Sequence, residues 1–495
     1  MREVEVLGSD TPDHSPLPPT DSALVSQARA RLAALPLEAL RDAGIFRDRS
    51  YFLNISYPSM QTMPEVAAEQ VLPELVEEGE EGNDEPTADG SKSAVYIHVP
   101  FCTAECYYCH YYKKFREGSD AVEQYMDSAL QELSMQAERR GGIEAASLYF
   151  GGGTPSYLTP DQMDRFLTGV KGLISVPEGI EFSYEVHPES SDEERLSVLR
   201  SHGVNRVNIG VESFNDRVLD RENRRHTARE AIEAYERARS VGFGIINLDL
   251  IYGLRGQSVA EWEENLQVLG DLQPDSATLY FLRLKRGTPE YQLWRKDPGS
   301  FPTDDELLLM HAMNFEYMEG QLGYTQNPAD WFIKDPKFFH QYQDHNWRRS
   351  DETELLGIGP SAYSYVGGWQ YYNVNDTARY QESVREGKFP VWRGEHLQGD
   401  EPLRRTIMLG IKMGIDRRIF EKTYGVDAVG QFREDWERLV SLGLITINSD
   451  MISLTYTGKL FADEVGQQFY SDEMKRRMAS VDPELISTTW PQFNP

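Results

Sequence analysis

Past residue 93, short apolar runs rich in β-branched and aromatic residues alternate with stretches of helical apolar spacing. The runs are "AVYIHV", "SLYFGGG", "EFSYEVHP", "RVNIGVES", "IINLDLIYGL" and "ATLYFLRL", and stretches such as "DAVEQYMDSALQELSMQAERR" and "TAREAIEAYERARSVG" lie between them. This alternation predicts an α/β fold with a parallel sheet and helices outside it. Because six units are fewer than a closed TIM barrel contains, we expect a partial (β/α)6 TIM-like barrel.

The sequence on either side of these repeats follows other patterns. Residues 1–22 are rich in Pro, Ser and Asp and are predicted to be disordered, and helical spacing follows over residues 22–46. Glu74 to Asp89 contains eight acidic and no basic residues, which is typical of a solvated linker.

Beyond the repeats, residues 300–400 are predicted to be irregular and aromatic, and a helical region begins at Glu401. Residues 429–465 have the order helix, strand, turn, strand, helix, which indicates a winged-helix-like unit. We therefore predict four regions: an N-terminal extension with an acidic linker (1–93), the partial barrel (94–300), an aromatic-rich connecting region (301–400) and a C-terminal helical, winged-helix-like domain (401–495).

Composition and charge narrow the class of protein. With 40% hydrophobic and 26% charged residues, the chain is typical of soluble globular proteins. No apolar run reaches membrane-spanning length, and the N-terminus lacks the apolar core of a secretory signal, so we expect a cytoplasmic protein. A net charge of −30 argues against sequence-independent nucleic-acid binding. The winged-helix-like unit is therefore expected to be structural or to cover a substrate.

All three cysteines of the chain lie in "CTAECYYCH", with the spacing C-x3-C-x2-C. An odd number of clustered thiols without an export signal argues against a disulfide framework and favours a metal site. Zinc in a structural site needs four ligands, and His110 follows Cys109 too closely for both to reach one ion easily. An iron–sulfur cubane usually takes four thiolates, so three would leave one iron open to a ligand.

Further candidate residues fall at the ends of the predicted strands, where parallel sheets place their chemistry. Gly151–Gly153 end the second run, and glycine lets a ligand approach the backbone closely. Glu185, Glu212 and Asp249 end the next three runs and could accept from an ammonium group or from ribose hydroxyls. Arg224 could clamp a carboxylate. An ordinary salt bridge is the alternative for each of these charged residues taken alone.

The motifs "VYIHVPFCTAECYYC", "GGGTPSYL", "YEVHP", "NIGVESFNDRVL", "NLDLIYGL" and "LLGIGPSAYS" resemble radical S-adenosylmethionine (SAM) enzymes of the HemN-like subfamily. This resemblance runs from about residue 51 to residue 470. It implies a [4Fe–4S] cluster on Cys102, Cys106 and Cys109, one or two SAM molecules, and an electron donor such as flavodoxin or ferredoxin. It also implies SAM or cluster contacts at a set of matching positions: Tyr96, Tyr108, Gly152, Gly153, Thr154, Glu185, Glu212, Arg224 and Asp249.

Glu212 departs from the glutamine of better-known members, and three branches of the subfamily differ in reaction. Coproporphyrinogen oxidases share an N-terminal Tyr-Pro stretch like "SYPSM" but carry a fourth cysteine where this chain has Tyr111. In haem chaperones a His-Asn feature is expected, and His345-Asn346, read here as a surface polar pair, is its nearest match. Class C methyltransferases and cyclopropanases use two SAM molecules to transfer a methylene-derived carbon to an sp2 carbon of a small substrate. Haem chaperones lack the fourth cysteine too, but their haem-associated features are not clear in this chain. The departure from both haem branches favours the third branch, with the other two as alternatives.

Two further residues are candidates for catalysis. His110, beside the cysteines, could assist proton transfer, or its ring could make only a loop hydrogen bond. Tyr363 belongs to an aromatic group that could line a substrate pocket or belong to the core.

Overall fold

We analysed a computed structural model of the chain, which describes residues 21–46, 56–72, 92–348 and 353–481. Most of the segment predicted to be disordered and the whole acidic linker lie outside these residues. None of the helices in the described ranges combines the length and apolar composition needed to cross a membrane.

The strands are listed in chain order: β1 (Lys92–Val99), β2 (Phe101–Cys102), β3 (Lys114–Phe115), β4 (Ala145–Gly152), β5 (Glu181–Val186), β6 (Arg206–Glu212), β7 (Ile245–Tyr252), β8 (Ser276–Phe281), β9 (Thr325–Gln326), β10 (Trp331–Ile333), β11 (Thr353–Ile358), β12 (Tyr363–Val366), β13 (Trp369–Asn373), β14 (Val391–His396), β15 (Ile415–Asp416), β16 (Ile445–Ile447) and β17 (Met451–Leu454).

The α-helices are α1 (Ala23–Ala33), α2 (Leu37–Asp42), α3 (Ala68–Val71), α4 (Ser119–Arg140), α5 (Pro160–Leu173), α6 (Glu193–Ser201), α7 (Asp216–Arg221), α8 (Ala228–Val241), α9 (Val259–Leu272), α10 (Pro289–Lys296), α11 (Asp304–Asn314), α12 (Gln341–Trp347), α13 (Thr377–Arg385), α14 (Glu401–Gly410), α15 (Arg417–Tyr424), α16 (Ala428–Gln431), α17 (Arg433–Ser441), α18 (Tyr456–Leu460), α19 (Ala462–Gln467) and α20 (Asp472–Val481).

One mixed sheet dominates the fold, with the strand order β14-β13-β12-β11-β1-β4-β5-β6-β7-β8-β10-β9. The strands from β11 to β8 in this order are parallel, and the strands at both edges are antiparallel. The predicted α/β class with a large parallel sheet is confirmed. All six predicted strands are present. Three of the helices between them, α5, α8 and α9, begin at capping boxes, such as that of Thr227 with Glu230.

The prediction of an irregular region over residues 300–400 was wrong. This region contains strands β9 to β14 and helices α11 to α13. Strand β11 is a seventh parallel strand, beside β1, and is buried along its whole length. A strand buried on both faces has no polar alternation along it, so its sequence "TELLGI" carries no period-two signal.

A buried ionic network anchors α12 to the sheet at the start of β5 and β6. The Glu181 carboxylate accepts from Arg206 Nε at 3.0 Å and lies 2.9 Å from His340 Nδ1. It also accepts from the backbone N–H of Gln341 at 3.0 Å, and Arg206 Nη2 donates to the Phe338 carbonyl at 2.6 Å. Burial opposes ionisation of Glu181, but His340 and Arg206 hold its pKa well below the usual range.

The C-terminal helices also hold the N-terminal Tyr-Pro stretch. Tyr57 is buried, its hydroxyl donates to the Glu401 carboxylate, and its ring packs edge-on to Tyr470 with centroids 4.7 Å apart. The Tyr470 hydroxyl donates to the Ser56 carbonyl at 2.6 Å. Tyr57 therefore contacts helix α14 and the segment before α20.

We predict that Glu181→Ala lowers the free energy of unfolding by about 3–5 kcal/mol, because it leaves the Arg206 guanidinium buried without its carboxylate. Urea unfolding followed by circular dichroism measures this change. The control is Arg229→Ala. It breaks the ion pair between Arg229 and Glu233, in which the Arg229 side chain is 80% exposed. This control is expected to leave the unfolding midpoint unchanged. A Glu181→Ala protein as stable as the control would contradict the structural role of the network.

Candidate functional site

Strand β1 leads through Pro100 into the short strand β2. The three cysteines lie at the end of β2 and on the loop that follows it. Cys102 ends β2 and is buried, whereas Cys106 and Cys109 are half-buried. The backbone N–H of Cys109 donates to the Cys106 carbonyl at 3.1 Å, so a tight turn brings these two residues to the same end of the loop. The cysteines therefore follow directly on the carboxyl end of β1, the first strand of the parallel sheet.

Hydrogen-bond donors from other elements approach the sulfur atoms. Thr154 Oγ1 lies 3.5 Å from Cys102 Sγ, and Arg224 Nη1 lies 3.5 Å from Cys106 Sγ. Lys113 Nζ donates to the Cys109 carbonyl at 2.8 Å. Burial raises the pKa of Cys102 to about 12, so a metal that binds this sulfur must displace its proton. Donors and cations beside the sulfurs suit the thiolate form that ligates metals.

The geometry of the trio also bears on the kind of metal centre. In the described ranges, no three Cys, His, Asp or Glu side chains converge on a point where a single metal ion would bind. A zinc ion needs convergent ligands, whereas the thiolates of an iron–sulfur cluster bind separate irons. The three cysteines, with Thr154 beside Cys102 and Arg224 beside Cys106, supply the thiol groups that an iron–sulfur cluster would need.

The glycines that end β4 are required by packing within the protein. Gly152 has φ +114°, and a Cβ atom at this position would lie 2.6 Å from the His98 ring. A Cβ atom at Gly153 would lie 2.8 Å from the Phe101 carbonyl oxygen. The Gly152 N–H donates to Glu185 at 3.1 Å, and the Gly153 N–H donates to the Val99 carbonyl at 2.8 Å. The backbone N–H groups of Gly152 and Gly153 thus both bond within the protein.

Three carboxyl groups lie together at the ends of β5, β6 and β7. Burial is the main cause that raises the pKa of Glu185 to about 7, of Glu212 to about 7 and of Asp249 to about 6. The charge of Asp249 raises the pKa of both glutamates further. Glu185 accepts from the Tyr149 hydroxyl at 2.8 Å, and Asp249 accepts from Asn247 at 2.8 Å. The structure therefore brings together the three carboxylates predicted from sequence.

Arg224 connects these carboxylates to the cysteine loop. Its guanidinium lies 3.8 Å from Glu212, donates to the Gly210 carbonyl and reaches Cys106 Sγ. Glu212 has φ +64° and follows a shift in the pairing of β6 with β7. A left-handed conformation at a residue other than glycine is costly and is often found at functional sites. The bulge aims the Glu212 side chain toward Arg224.

The aromatic residues Tyr96, Tyr149, Tyr342 and Tyr363 form one group inside the sheet. Tyr149 packs against Tyr342 and Tyr96, with ring centroids 4.7 Å and 5.9 Å apart, respectively. The Tyr363 hydroxyl donates to Asn346 Oδ1. Tyr363 thus lies in the same aromatic group as Tyr96, and its catalytic role stays a prediction.

His110 and the neighbouring tyrosines lie on the cysteine loop. His110 is exposed, and its ring stacks on Tyr111 with centroids 4.6 Å apart. Tyr111 is 58% exposed, whereas Tyr108 is half-buried. The proposed role of His110 in proton transfer therefore stays a prediction.

Sequence analysis missed two polar residues of this site. Tyr149 donates to Glu185, and the buried Asn208 donates to the Tyr149 hydroxyl at 3.3 Å while its own Oδ1 has no hydrogen-bond partner in the described structure. Tyr149 lies two residues before Gly151, and Asn208 lies four residues before Glu212, and both of these strand-end positions were predicted. Side chains two or four residues apart along a strand lie on the same face of the sheet. Counting back in twos from the predicted strand-end residues would therefore have identified Tyr149 and Asn208.

Comparisons with known proteins agree with this geometry. A family model of the radical SAM superfamily matches residues 96–269. The chain carries a radical SAM domain. It is 29% identical over 384 residues to the heme chaperone HemW of Bacillus subtilis, covering 77% of this chain and 100% of the relative. It is 27% identical over 398 residues to the oxygen-independent coproporphyrinogen III oxidase of Pseudomonas aeruginosa, covering 77% of this chain and 86% of that protein.

The fold is shared as well. The solved structure of the coproporphyrinogen III oxidase HemN from Escherichia coli superposes with a TM-score of 0.68 at 26% identity, covering 77% of this chain and 92% of HemN. The chain thus combines a radical SAM domain with similarity to HemN and HemW proteins over most of its length, and the radical SAM family uses a [4Fe–4S] cluster and SAM. In this HemN-like protein, Cys102, Cys106 and Cys109 are the residues that would hold the cluster.

We predict that Glu185→Gln stabilises the cluster-free protein at about pH 8 by roughly 1–3 kcal/mol. The folded chain holds a proton on Glu185 up to a pKa of about 7, above the ordinary value of 4.5. Between these values the folded state binds more protons than the unfolded state, so the free energy of unfolding falls as pH rises. Glutamine removes this dependence. Urea unfolding of the original protein and the variant, at about pH 8 and at about pH 5, measures the difference in the free energy of unfolding.

The comparison at about pH 5 serves as the control, because Glu185 is then protonated in the folded state and the variant gains little. A variant with the same advantage at both pH values would show that the effect does not come from ionisation of Glu185.

Proposed function

We propose that this HemN-like enzyme cleaves SAM reductively and uses a second SAM molecule to add a methyl group or a ring carbon to an sp2 carbon of a small substrate. The observation that supports it best is the charge of the site. Above their raised pKa values of about 7, 7 and 6, Glu185, Glu212 and Asp249 carry three negative charges, and Arg224, 3.8 Å from Glu212, carries one positive charge, which leaves a net charge of about −2 in this site. Because each SAM carries a sulfonium and a zwitterionic amino acid group, two molecules would balance this charge.

The residues of the chain have distinct roles in this proposal. Glu185 would bind the ammonium group of SAM, because it is anchored by Tyr149 and Gly152 at the end of β5. Asp249 and Glu212 would accept from ribose hydroxyls. Arg224 would hold a SAM carboxylate as well as approaching Cys106. When bound to the cysteines, the cluster supplies the electron that cleaves SAM.

The alternative haem-chaperone function needs a His-Asn pair that is free to bind. His345 Nδ1 instead lies 3.0 Å from Ser147 Oγ, and Asn346 accepts from the Tyr363 hydroxyl. Asn346 is buried and His345 is half-buried, so the expectation of a surface polar pair was wrong. These contacts favour a structural role for the pair in α12.

Similarity to two coproporphyrinogen oxidases favours a second candidate, oxidation of a tetrapyrrole precursor. Two features of this chain weigh against it. Tyr111 stands where those enzymes carry a fourth cysteine, and Tyr57 of the Tyr-Pro stretch is buried against Glu401 and Tyr470.

Turnover with SAM that carries a deuterated methyl group distinguishes the two candidates. The protein is reconstituted anaerobically with iron and sulfide and reduced with dithionite, and the nucleosides are measured by mass spectrometry. We expect deuterium in 5′-deoxyadenosine, because a hydrogen atom is taken from the methyl group of the second SAM. S-adenosylhomocysteine is expected as well when a substrate with an sp2 carbon is supplied, because its release needs the methylene carbon to form a bond to that substrate. Equilibrium dialysis is expected to give two SAM molecules per cluster.

Unlabelled 5′-deoxyadenosine without S-adenosylhomocysteine would contradict the two-SAM proposal and favour the tetrapyrrole candidate. Cys106→Ser is the control, and it is expected to lose both the visible absorbance of the cluster and all SAM cleavage. Retained cleavage in this variant would contradict radical chemistry at the cysteine loop.

A further inference from the structure

A basic surface strand lies directly beside the cysteine loop. Strand β3 pairs in parallel with β2, and Phe115 is opposite Cys102 in the register. The backbone N–H of Arg116 donates to the Cys102 carbonyl at 3.1 Å. One hydrogen bond therefore separates this exposed strand from the backbone of a buried cluster ligand.

This surface has Phe115 at its centre and basic side chains on both sides of it, and Glu189 lies at its edge, where its carboxylate accepts from Thr103 Oγ1 at 2.8 Å. Phe115 is 38% exposed, Arg116 is exposed, and Lys113 Nζ lies 5.9 Å from the centroid of the Phe115 ring. Residues 103–116 contain three basic side chains, Lys113, Lys114 and Arg116, and one acidic side chain, Glu105. We call Lys113–Arg116 the basic strand surface. Glu117 follows it and is half-buried.

Two contrasts with the rest of the molecule make this surface unusual. The chain as a whole has a net charge of −30. Of the large hydrophobic side chains that are exposed in the described ranges, Tyr111 and Phe115 both flank the cysteine loop, and the other two, Ile419 and Val440, lie in the C-terminal helices. Arg116 also has φ +56°, a left-handed conformation that non-glycine residues rarely adopt.

We propose that the basic strand surface docks a small acidic redox protein that delivers one electron to the cluster. This proposal rests on the proposed function, because the delivered electron is the one consumed in SAM cleavage. The carrier is oxidised by one electron, the centre on the cysteines is reduced by one, and no bond or proton is exchanged. A protein of net charge −30 repels an acidic partner at long range, so a local positive surface is needed to orient the encounter.

The first test measures binding, which does not depend on enzyme activity. A flavodoxin of net negative charge is titrated into the reconstituted protein by isothermal calorimetry at about 50 mM and 200 mM salt. The variant Lys114→Glu/Arg116→Glu is expected to bind at least about tenfold more weakly at low salt and to lose most of the salt dependence.

The matched control is Lys171→Glu/Arg229→Glu, which changes the net charge by the same amount on the exposed faces of α5 and α8. We expect its affinity to stay within about threefold of the original protein. Because replacement of Arg116 could disturb the loop, the neutral variant Lys114→Gln/Arg116→Gln is measured too and is expected to give an intermediate loss. Equal weakening by the control and surface variants would overturn the proposal.

The second test compares two reductants with the same proteins. SAM cleavage driven by photoreduced flavodoxin is expected to fall at least about tenfold in the surface variant, whereas cleavage driven by dithionite stays within about twofold. Loss of both would show that the variant damages the centre and not the docking, and would overturn the proposal. If the original protein does not cleave SAM even with dithionite, the proposed function fails, and the binding titration still decides whether the surface docks flavodoxin.

Discussion

The constraint on which the rest of the structure depends is the uneven compensation of buried charge inside the sheet. Strand β5 illustrates it, because Glu181 and Glu185 lie four residues apart on the same face. Glu181 faces Arg206 and His340, and these groups hold its pKa well below the usual range. Glu185 has only hydrogen bonds from Tyr149 and Gly152, and burial raises its pKa to about 7. The charge of Glu181 is thus compensated within the protein, whereas Glu185 has no cationic partner in the described structure, which is the position where we propose that the ammonium group of SAM binds.

The sequence predicted the strands that alternate with amphipathic helices, since each helix adds caps and periodicity to the signal of its strand. Helix α8 begins at a Thr227–Glu230 capping box and ends at Gly242 with φ +87°. Strand β11 has no such helix after it and was missed, as were β12 to β14, whose aromatic residues were read as an irregular region. Local pattern therefore identified the repeats, whereas the additional strands depend on pairing with distant segments.

The site likewise contains residues that the local sequence identified and residues whose roles depend on distant segments. Glu185, Glu212 and Asp249 were found because they end apolar runs, and Cys102, Cys106 and Cys109 because of their spacing. The reason for the glycines could not be read from sequence. It lies in the register of β4 with β1, which sets Gly152 beside Val99 and brings the His98 ring to the place of a Cβ atom. Asn208 and Tyr149 lie within strands, where a polar residue is read as an interruption unless the inward face is followed through the sheet.

The cysteine loop lies between the buried carboxylates and the exposed strand β3, and it makes hydrogen bonds to both. On the inner side, Arg224 joins Cys106 to Glu212 and so to the carboxylates. On the outer side, backbone pairing joins Cys102 to Phe115 and Arg116. As proposed, SAM binds beside the carboxylates and the acidic electron carrier docks at Lys114 and Arg116, so the two would approach different faces of the same loop. A redox centre held by this loop can receive an electron from the carrier on one side and pass it to SAM on the other side. SAM and the carrier then do not compete for the same surface.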